Sequence, residues 1–301
     1  MLINKNTNRI YLEFTDYLKA RFPAFKVQKI SLNAGFTCPN RDGSKGRGGC
    51  SYCNNRTFNP NYCDNRQSIT RQLQEGIRFF SRKYHDMKYI AYFQAYTNTY
   101  DKIEILRLKY EEALHNSDVV GIIIATRPDC VSGELLDYLQ ILNRRTFVMV
   151  EYGIESTSEE TLLRINRGHT YEEAKEAVIR TAERQIPCGA HIILGLPGET
   201  NAQILQHAVT ISELPLTSVK LHQLQIIRGT AMATEYESCP ERFRLFTVDE
   251  YIDLVAEFID RLRPDIHIDR FVSQSPKELL IAPDWGLKNH EFRAMLERKQ
   301  K

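Results

Sequence analysis

Short apolar runs recur along this chain, each separated from the next by enough residues for one helix. They are VQKISL at 27–32, YIAYF at 89–93, VVGIIIAT at 119–126, FVMVEYGI at 147–154, AHIILGLPGE at 190–199 and VKLHQLQII at 219–227. Runs of this length, rich in β-branched and aromatic residues, predict six strands. The stretches between them repeat apolar residues at helical spacing, as in Ile69, Leu73, Ile77 and Phe80. Further helices are expected near 101–115 and 132–143, and up to Gln185. Thr170 with Glu173, Thr200 with Gln203 and Thr247 with Glu250 have the spacing of helix-opening capping boxes. The last of these helices carries a stripe of Tyr251, Leu254, Val255, Phe258 and Leu262. At the other end Tyr11, Phe14, Leu18 and Phe22 predict an N-terminal helix over 8–22 that covers one end of the core, with Pro23 as its stop.

Continuous apolar strands alternating with amphipathic helices imply a parallel α/β sheet covered by helices, with right-handed crossovers. A partial barrel and a doubly wound open sheet fit this pattern equally, and in both the ligand site lies at the carboxyl ends of the strands. No linker or repeat interrupts the pattern. It reads as one domain over 1–301, with a core at about 25–265 and a C-terminal extension over about 266–301.

Composition narrows the class. Hydrophobic residues make up 42% and charged residues 26% of the chain, ordinary for a globular protein, and no apolar run approaches the ~20 residues of a membrane helix. The N-terminal MLINKNTNRIYLEF lacks the apolar segment of a signal peptide, so no membrane association and a cytoplasmic location are expected. Net charge is only +2, so any polyanion must be met by a local patch. Arg41, Lys45, Arg47 and Arg56 form one, and Lys288, Arg293, Arg298, Lys299 and Lys301 another; Arg66, Arg71, Arg78, Arg82, Lys83 and Lys88 read as a solvated helix face.

The densest chemistry follows the first strand, in CPNRDGSKGRGGCSYC at 38–53. Cys38, Cys50 and Cys53 can converge there on one point, and the intervening glycines allow backbone to pack close to a bulky inorganic group. Three thiolates on a four-iron cube leave one iron open to an external ligand. A structural zinc site needs four closed ligands, for which Cys63 is the available fourth. A disulfide framework fits poorly with seven widely spread cysteines, and Cys130, Cys188 and Cys239 read as small buried apolar residues. Other polar groups gather at strand ends. FQAYTNTY supplies Gln94, Tyr96, Thr97, Asn98 and Thr99, suited to an amino-acid or nucleoside group, and Arg127 in TRPD suits a carboxylate or phosphate. Glu151 and Glu155 fall on one strand face, where ribose hydroxyls or an ion pair with Arg127 or Arg167 would account for them. Gly195-Leu196-Pro197-Gly198-Glu199 makes a tight turn able to stack under an adenine.

Taken as an ordered set, the three-cysteine loop, TRPD, EYGIES, INRGHT, GLPGE and IIRGT resemble the radical S-adenosylmethionine (SAM) superfamily. Within it the chain is similar to the branch containing the catalytic subunit of Elongator, and to its short bacterial YhcC/YtqA-type group. The resemblance implies a partial (β/α)6 TIM-like barrel with an N-terminal helix and a C-terminal extension, and a [4Fe-4S] cluster on Cys38, Cys50 and Cys53. It also implies SAM contacts at Gln94, Tyr96, Thr97, Asn98, Glu155, Arg167, Gly195 and Leu196, with Arg167 neutralising the methionine carboxylate and Glu155 fixing the ribose. Reductive cleavage of SAM would then modify a substrate, for which the Elongator likeness suggests a transfer RNA wobble-uridine side chain, with flavodoxin or ferredoxin as electron donor. The competing reading is a zinc-stabilised RNA-binding protein without radical chemistry. The chain departs from the superfamily's usual C-x3-C-x2-C by spacing its cysteines C-x11-C-x2-C, has Ala125 where Elongator-like proteins carry a glutamate, and shows no acetyltransferase pattern after the barrel.

Overall fold

Along each central strand, residues alternate between a face packed under helices and a face turned to an interior lumen. The computed structural model describes residues 9–57, 59–60, 62–82 and 86–299; Lys83 and Lys301 lie outside them. In chain order the elements are β1 (Leu12–Glu13), α1 (Phe14–Arg21), β2 (Lys26–Leu32), α2 (Pro39–Asp42), α3 (Ile69–Ser81), β3 (Met87–Phe93), α4 (Ile103–Leu114), β4 (Val119–Thr126), α5 (Gly133–Asn143) and β5 (Phe147–Glu155). They continue with α6 (Glu159–Arg164), α7 (Tyr171–Glu183), β6 (Cys188–Leu194), α8 (Asn201–Ser212), β7 (Ser218–Gln223), β8 (Ile226–Ile227), α9 (Ala231–Ser238), α10 (Val248–Arg261), β9 (His267–Arg270), β10 (Leu280–Ala282) and α11 (Asn289–Lys299).

The main sheet has the order β1-β9-β7-β6-β5-β4-β3-β2, every pair parallel. β1 and β2 are its two edges, so it curls as an open half-barrel. The sheet has eight strands rather than the expected six. β1 and β9 are too short to stand out as apolar runs, and β9 comes from the stretch after residue 266. The run at 219–227 also ends sooner than its apolar content suggests, at Gln223, after which β8 pairs with β10 in a separate antiparallel ribbon.

Helix-facing residues such as Ile122, Ile124, Val148, Val150, Ile192 and Leu221 build the large core under the helices. Burying a side chain of this size contributes about 1.5–3 kcal/mol. Lumen-facing Ile90, Ile123, Phe147 and Met149 form a second cluster, which Phe14 and Leu18 of α1 close from below. The N-terminal helix therefore plugs the lumen. Capping boxes open α7, α8 and α10 at Thr170, Thr200 and Thr247. Among the described residues no helix is long and apolar enough to cross a membrane.

Candidate active site

β2 delivers the chain to Cys38, whose carbonyl accepts from the backbone N–H groups of Arg41 and Asp42 to start α2. Gly43 ends that turn at φ +96°, and Gly48 and Gly49 hold φ +83° and +84°, a region that favours glycine. The loop then closes on itself, with the Gly49 N–H donating to the Asn40 carbonyl at 2.8 Å. It is also strapped to the loop after α6. The Asn40 amide donates to the Asn166 carbonyl at 2.6 Å, the Asn166 amide to the Gly49 carbonyl at 2.8 Å, and Ser51 N–H to the Ile165 carbonyl at 2.9 Å. Arg41 folds inward, donating to the Cys53 carbonyl at 2.7 Å.

Cys38, Cys50 and Cys53 all line one cavity of about 930 Å³ that runs down into the lumen. Burial and the neighbouring Cys50 push the Cys53 thiol up to about 11, so a metal must displace its proton on binding. Cys63 stands apart: its thiol donates to the Ser31 carbonyl at 2.8 Å, burial pushes it up to about 12, and it is not part of the cavity wall. The fourth ligand that a closed zinc site requires is thus not brought to the other three.

The remaining expected site residues divide. Gln94, Tyr96 and Thr97 line the cavity. Ala95 and Tyr96 take φ +67° and +60°, and the Tyr96 N–H donates to Asn55 Oδ1 at 3.3 Å, tying this loop to the cysteine loop. Asn98 does not reach the wall; its amide holds the loop together by donating to the Ala95 and Ala125 carbonyls at 3.1 and 2.8 Å. Nor do Gly195 and Leu196, which pack beside Phe246 and in the cluster around Ile193 and Leu224 respectively.

Arg167 and Glu155 both line the cavity. Arg167 is buried, donates to the Gly153 carbonyl at 2.6 Å, lies 3.5 Å from Cys50 Sγ and pairs with Glu155 at 3.7 Å, while its Nε has no partner. Glu155 ends β5 at φ +71°, a strained conformation for a non-glycine residue. A Cβ at Gly153 would sit 2.5 Å from Glu155 Oε1 and 2.7 Å from Arg167 Nη2, so any side chain there would displace the ends of both. Arg127 makes a fork to Asp129, both bonds 2.9 Å, and donates to the Arg167 carbonyl at 2.7 Å. Neither acid pairs with Arg127, so the expected ion pair exists only between Glu155 and Arg167.

Two of the four basic candidates beside the loop are committed within the protein, Arg41 as above and Lys45 to Asp129 at 2.6 Å. Arg47 and Arg56 are exposed. In the second patch Arg293 pairs with Glu13 and Lys299 with Asp253.

The Arg127–Asp129 pair yields a pH prediction. Despite the upward push of burial, Arg127 and Lys45 hold Asp129 at about 2, below the ordinary aspartate value near 4. A lowered folded pKa gives stability that is complete above about 4 and is lost as pH falls through about 2, of order 2 kcal/mol. The stability gap between the wild type and Asp129→Asn, measured by urea unfolding, should narrow by about that amount between pH 5 and 2. A constant gap would contradict the assignment.

Of the floor of the cavity, sequence reasoning found Glu151 and missed its partners. Glu151 Oε2 accepts from Lys220 Nζ at 2.6 Å, Tyr92 OH at 2.8 Å and His191 Nε2 at 2.9 Å. Asp269 accepts from Lys29 at 2.9 Å and pairs with Lys220 at 3.2 Å. Burial works against ionised Glu151 and Asp269, but Lys220 and Lys29 outweigh it and hold both below the usual carboxylate range. The available signal was Lys220 and His222, two positions apart in the otherwise apolar VKLH, with the lone His191 of AHIIL on the neighbouring strand.

Three thiols on one cavity wall, with unpartnered buried Arg167 Nε and Thr97 Oγ1 also present, are the donor types that an iron–sulfur cluster with a polar organic ligand beside it requires, while among the described residues no three such side chains are yet drawn close enough together to hold a metal ion. Fold and site together define an open parallel half-barrel with three cysteines on the stretch after its edge strand β2, all on one cavity wall. A model described as the Radical SAM superfamily matches residues 37–211, and one described as the Radical_SAM C-terminal domain matches 216–301. The chain belongs to the radical SAM superfamily.

YtqA of Bacillus subtilis (strain 168) is 36% identical over 295 residues, covering 98% of this chain and 90% of its own. YhcC of Escherichia coli (strain K12) is 35% identical over 261 residues, covering 86% and 82%. Among solved structures, the archaeal Methanocaldococcus infernus Elp3 with an N-terminal deletion shares the fold, with a TM-score of 0.66 at 16% identity over 91% of this chain. This chain spans 63% of that one.

Proposed function

We propose that this radical SAM enzyme holds a [4Fe-4S] cluster on Cys38, Cys50 and Cys53 and modifies a transfer RNA uridine side chain. The observation that carries the cluster assignment is the separation of these three thiols, on one cavity wall, from Cys63, bonded to a strand carbonyl. When bound, cluster and SAM together supply a 5′-deoxyadenosyl radical able to remove hydrogen from a substrate.

The chain's own residues bind, orient and exclude water. Arg167, buried beside Cys50, places a fixed positive charge where the methionine carboxylate would lie, and Glu155 offers acceptors to ribose hydroxyls. Gln94, Tyr96 and Thr97 line the same cavity. The likeness to Elp3 and exposed Arg47 and Arg56 near the rim support RNA as substrate, with phosphates outside and a splayed base inside. A flavodoxin or ferredoxin in the reducing cytoplasm would deliver the electron.

Glu155→Gln is expected to weaken SAM binding about tenfold, the loss of one charged hydrogen bond, with cluster content retained. Arg167→Gln should lower both, because the guanidinium also reaches Cys50. Equilibrium dialysis and iron assays check this, and unchanged SAM affinity in Glu155→Gln would remove its assigned role. The substrate is tested by comparing nucleoside digests of transfer RNA from cells with and without the gene. One uridine precursor should accumulate, and the purified enzyme with reductant and SAM should convert it. Indistinguishable profiles would refute the RNA substrate.

A further inference from the structure

A fold-only role does not explain the floor of the lumen. Barrel interiors are ordinarily filled by branched apolar side chains, and a buried ion-pair network is often no more stabilising than an apolar replacement. Here two lysines face two carboxylates on the wall of the cavity that the cysteines share.

Hydrogen-bond accounting shows which atoms are left for a ligand. Glu151 Oε2 already takes three donors, Lys29 bonds both oxygens of Asp269, and Lys220 bonds Tyr92, Glu151 and Asp269. The four charges sum to zero and are mutually satisfied, so the network itself has no surplus charge for a phosphate or carboxylate; exposed Arg270 also lines the cavity, and its charge reaches His222. The spare capacity is on two imidazoles whose ring centroids are 5.2 Å apart. His191 uses Nε2 on Glu151. His222 uses Nδ1 on the Ser273 hydroxyl, and its Nε2 is buried without a partner. Burial and the neighbouring His191 keep His222 neutral.

Because Glu151 is ionised, His191 donates through Nε2, and an imidazole that carries its single proton there presents Nδ1 as an acceptor. His222 presents Nε2 as a donor when the Ser273 hydroxyl donates to Nδ1. We propose that His191 and His222 form a reading pair in the lumen that receives the uncharged, hydrogen-bonding head of the substrate, a planar group with a donor and an acceptor side by side. The Lys29–Glu151–Lys220–Asp269 network behind them is a positioning device that fixes the His191 tautomer. On the RNA reading above, on which the choice of probe rests, this head is the imide edge of a uracil.

The test is competition binding to the reconstituted enzyme with SAM, using three short single-stranded oligonucleotides of equal length: oligouridylate, oligocytidylate and an oligouridylate whose central base is N3-methyluridine. Wild type should bind oligouridylate about tenfold or more tighter than either of the others, since cytosine presents its donor and acceptor in the reverse order and the N3-methyl base has lost its donor, and a buried polar pair left unmatched is penalised. His191→Asn and His222→Gln should each erase most of that preference while leaving oligocytidylate affinity and iron content unchanged. If oligonucleotides bind without discrimination against the N3-methyl base, or if the preference survives both substitutions, the reading pair is refuted and the RNA reading stands. If none of the three binds, the RNA reading falls, and this inference with it. The wild-type comparison needs no variant, so a misfolded substitution cannot hide the answer.

Discussion

Anaerobic reconstitution with iron and sulfide is expected to load about four irons per chain into the wild type and into Cys63→Ala, and almost none into Cys38→Ala, Cys50→Ala or Cys53→Ala. The asymmetry follows from position. The three cysteines share one cavity, whereas Cys63 is buried against the Ser31 carbonyl. Its loss removes a small buried side chain and one thiol hydrogen bond, costing on the order of 1 kcal/mol of stability and no iron. Iron loss in Cys63→Ala comparable to the other three would restore the closed four-ligand reading.

The second large effect concerns folding. Lys220→Met should destabilise the protein by about 3–5 kcal/mol, because it leaves Glu151, with 2% of its side chain exposed, and Asp269 to share Lys29 alone. Replacing both partners, as Lys220→Met with Glu151→Gln, should cost less than the two single changes added together, since neither then strands the other as a charge. Urea midpoints of the four proteins measure this directly. Additive losses would mean that the two groups do not interact, contrary to their 2.6 Å contact.

The layers of this fold were legible because periodicity records burial. Each of the six apolar runs became a strand of the sheet, and Thr170, Thr200 and Thr247 cap helices as their spacing implied. β1 and β9 escaped because strands of two and four residues that take their place by pairing with a neighbour carry almost no pattern of their own. The cysteine loop was legible from residue type and spacing. Beyond Glu151 the lumen floor was not: His191, Lys220 and His222 interrupt runs whose outward residues are apolar, and a run read as uniformly hydrophobic conceals which face each residue occupies. Asn98 was expected to contact SAM from its residue type and from the family resemblance, and only the fold reveals that its amide donates to the Ala95 and Ala125 carbonyls. Charge runs misled in a similar way, since Arg41 and Lys45 are spent on Cys53 and Asp129.

The central claim is that three thiolates at the rim of this half-barrel hold a cluster that cleaves SAM with an electron from outside. The most direct measurement is chromatography of the nucleosides formed when anaerobically reconstituted protein is incubated with SAM and dithionite. The account predicts 5′-deoxyadenosine and methionine from the wild type and from Cys63→Ala, and neither from Cys50→Ala. Intact SAM after incubation with fully iron-loaded wild-type protein would contradict it.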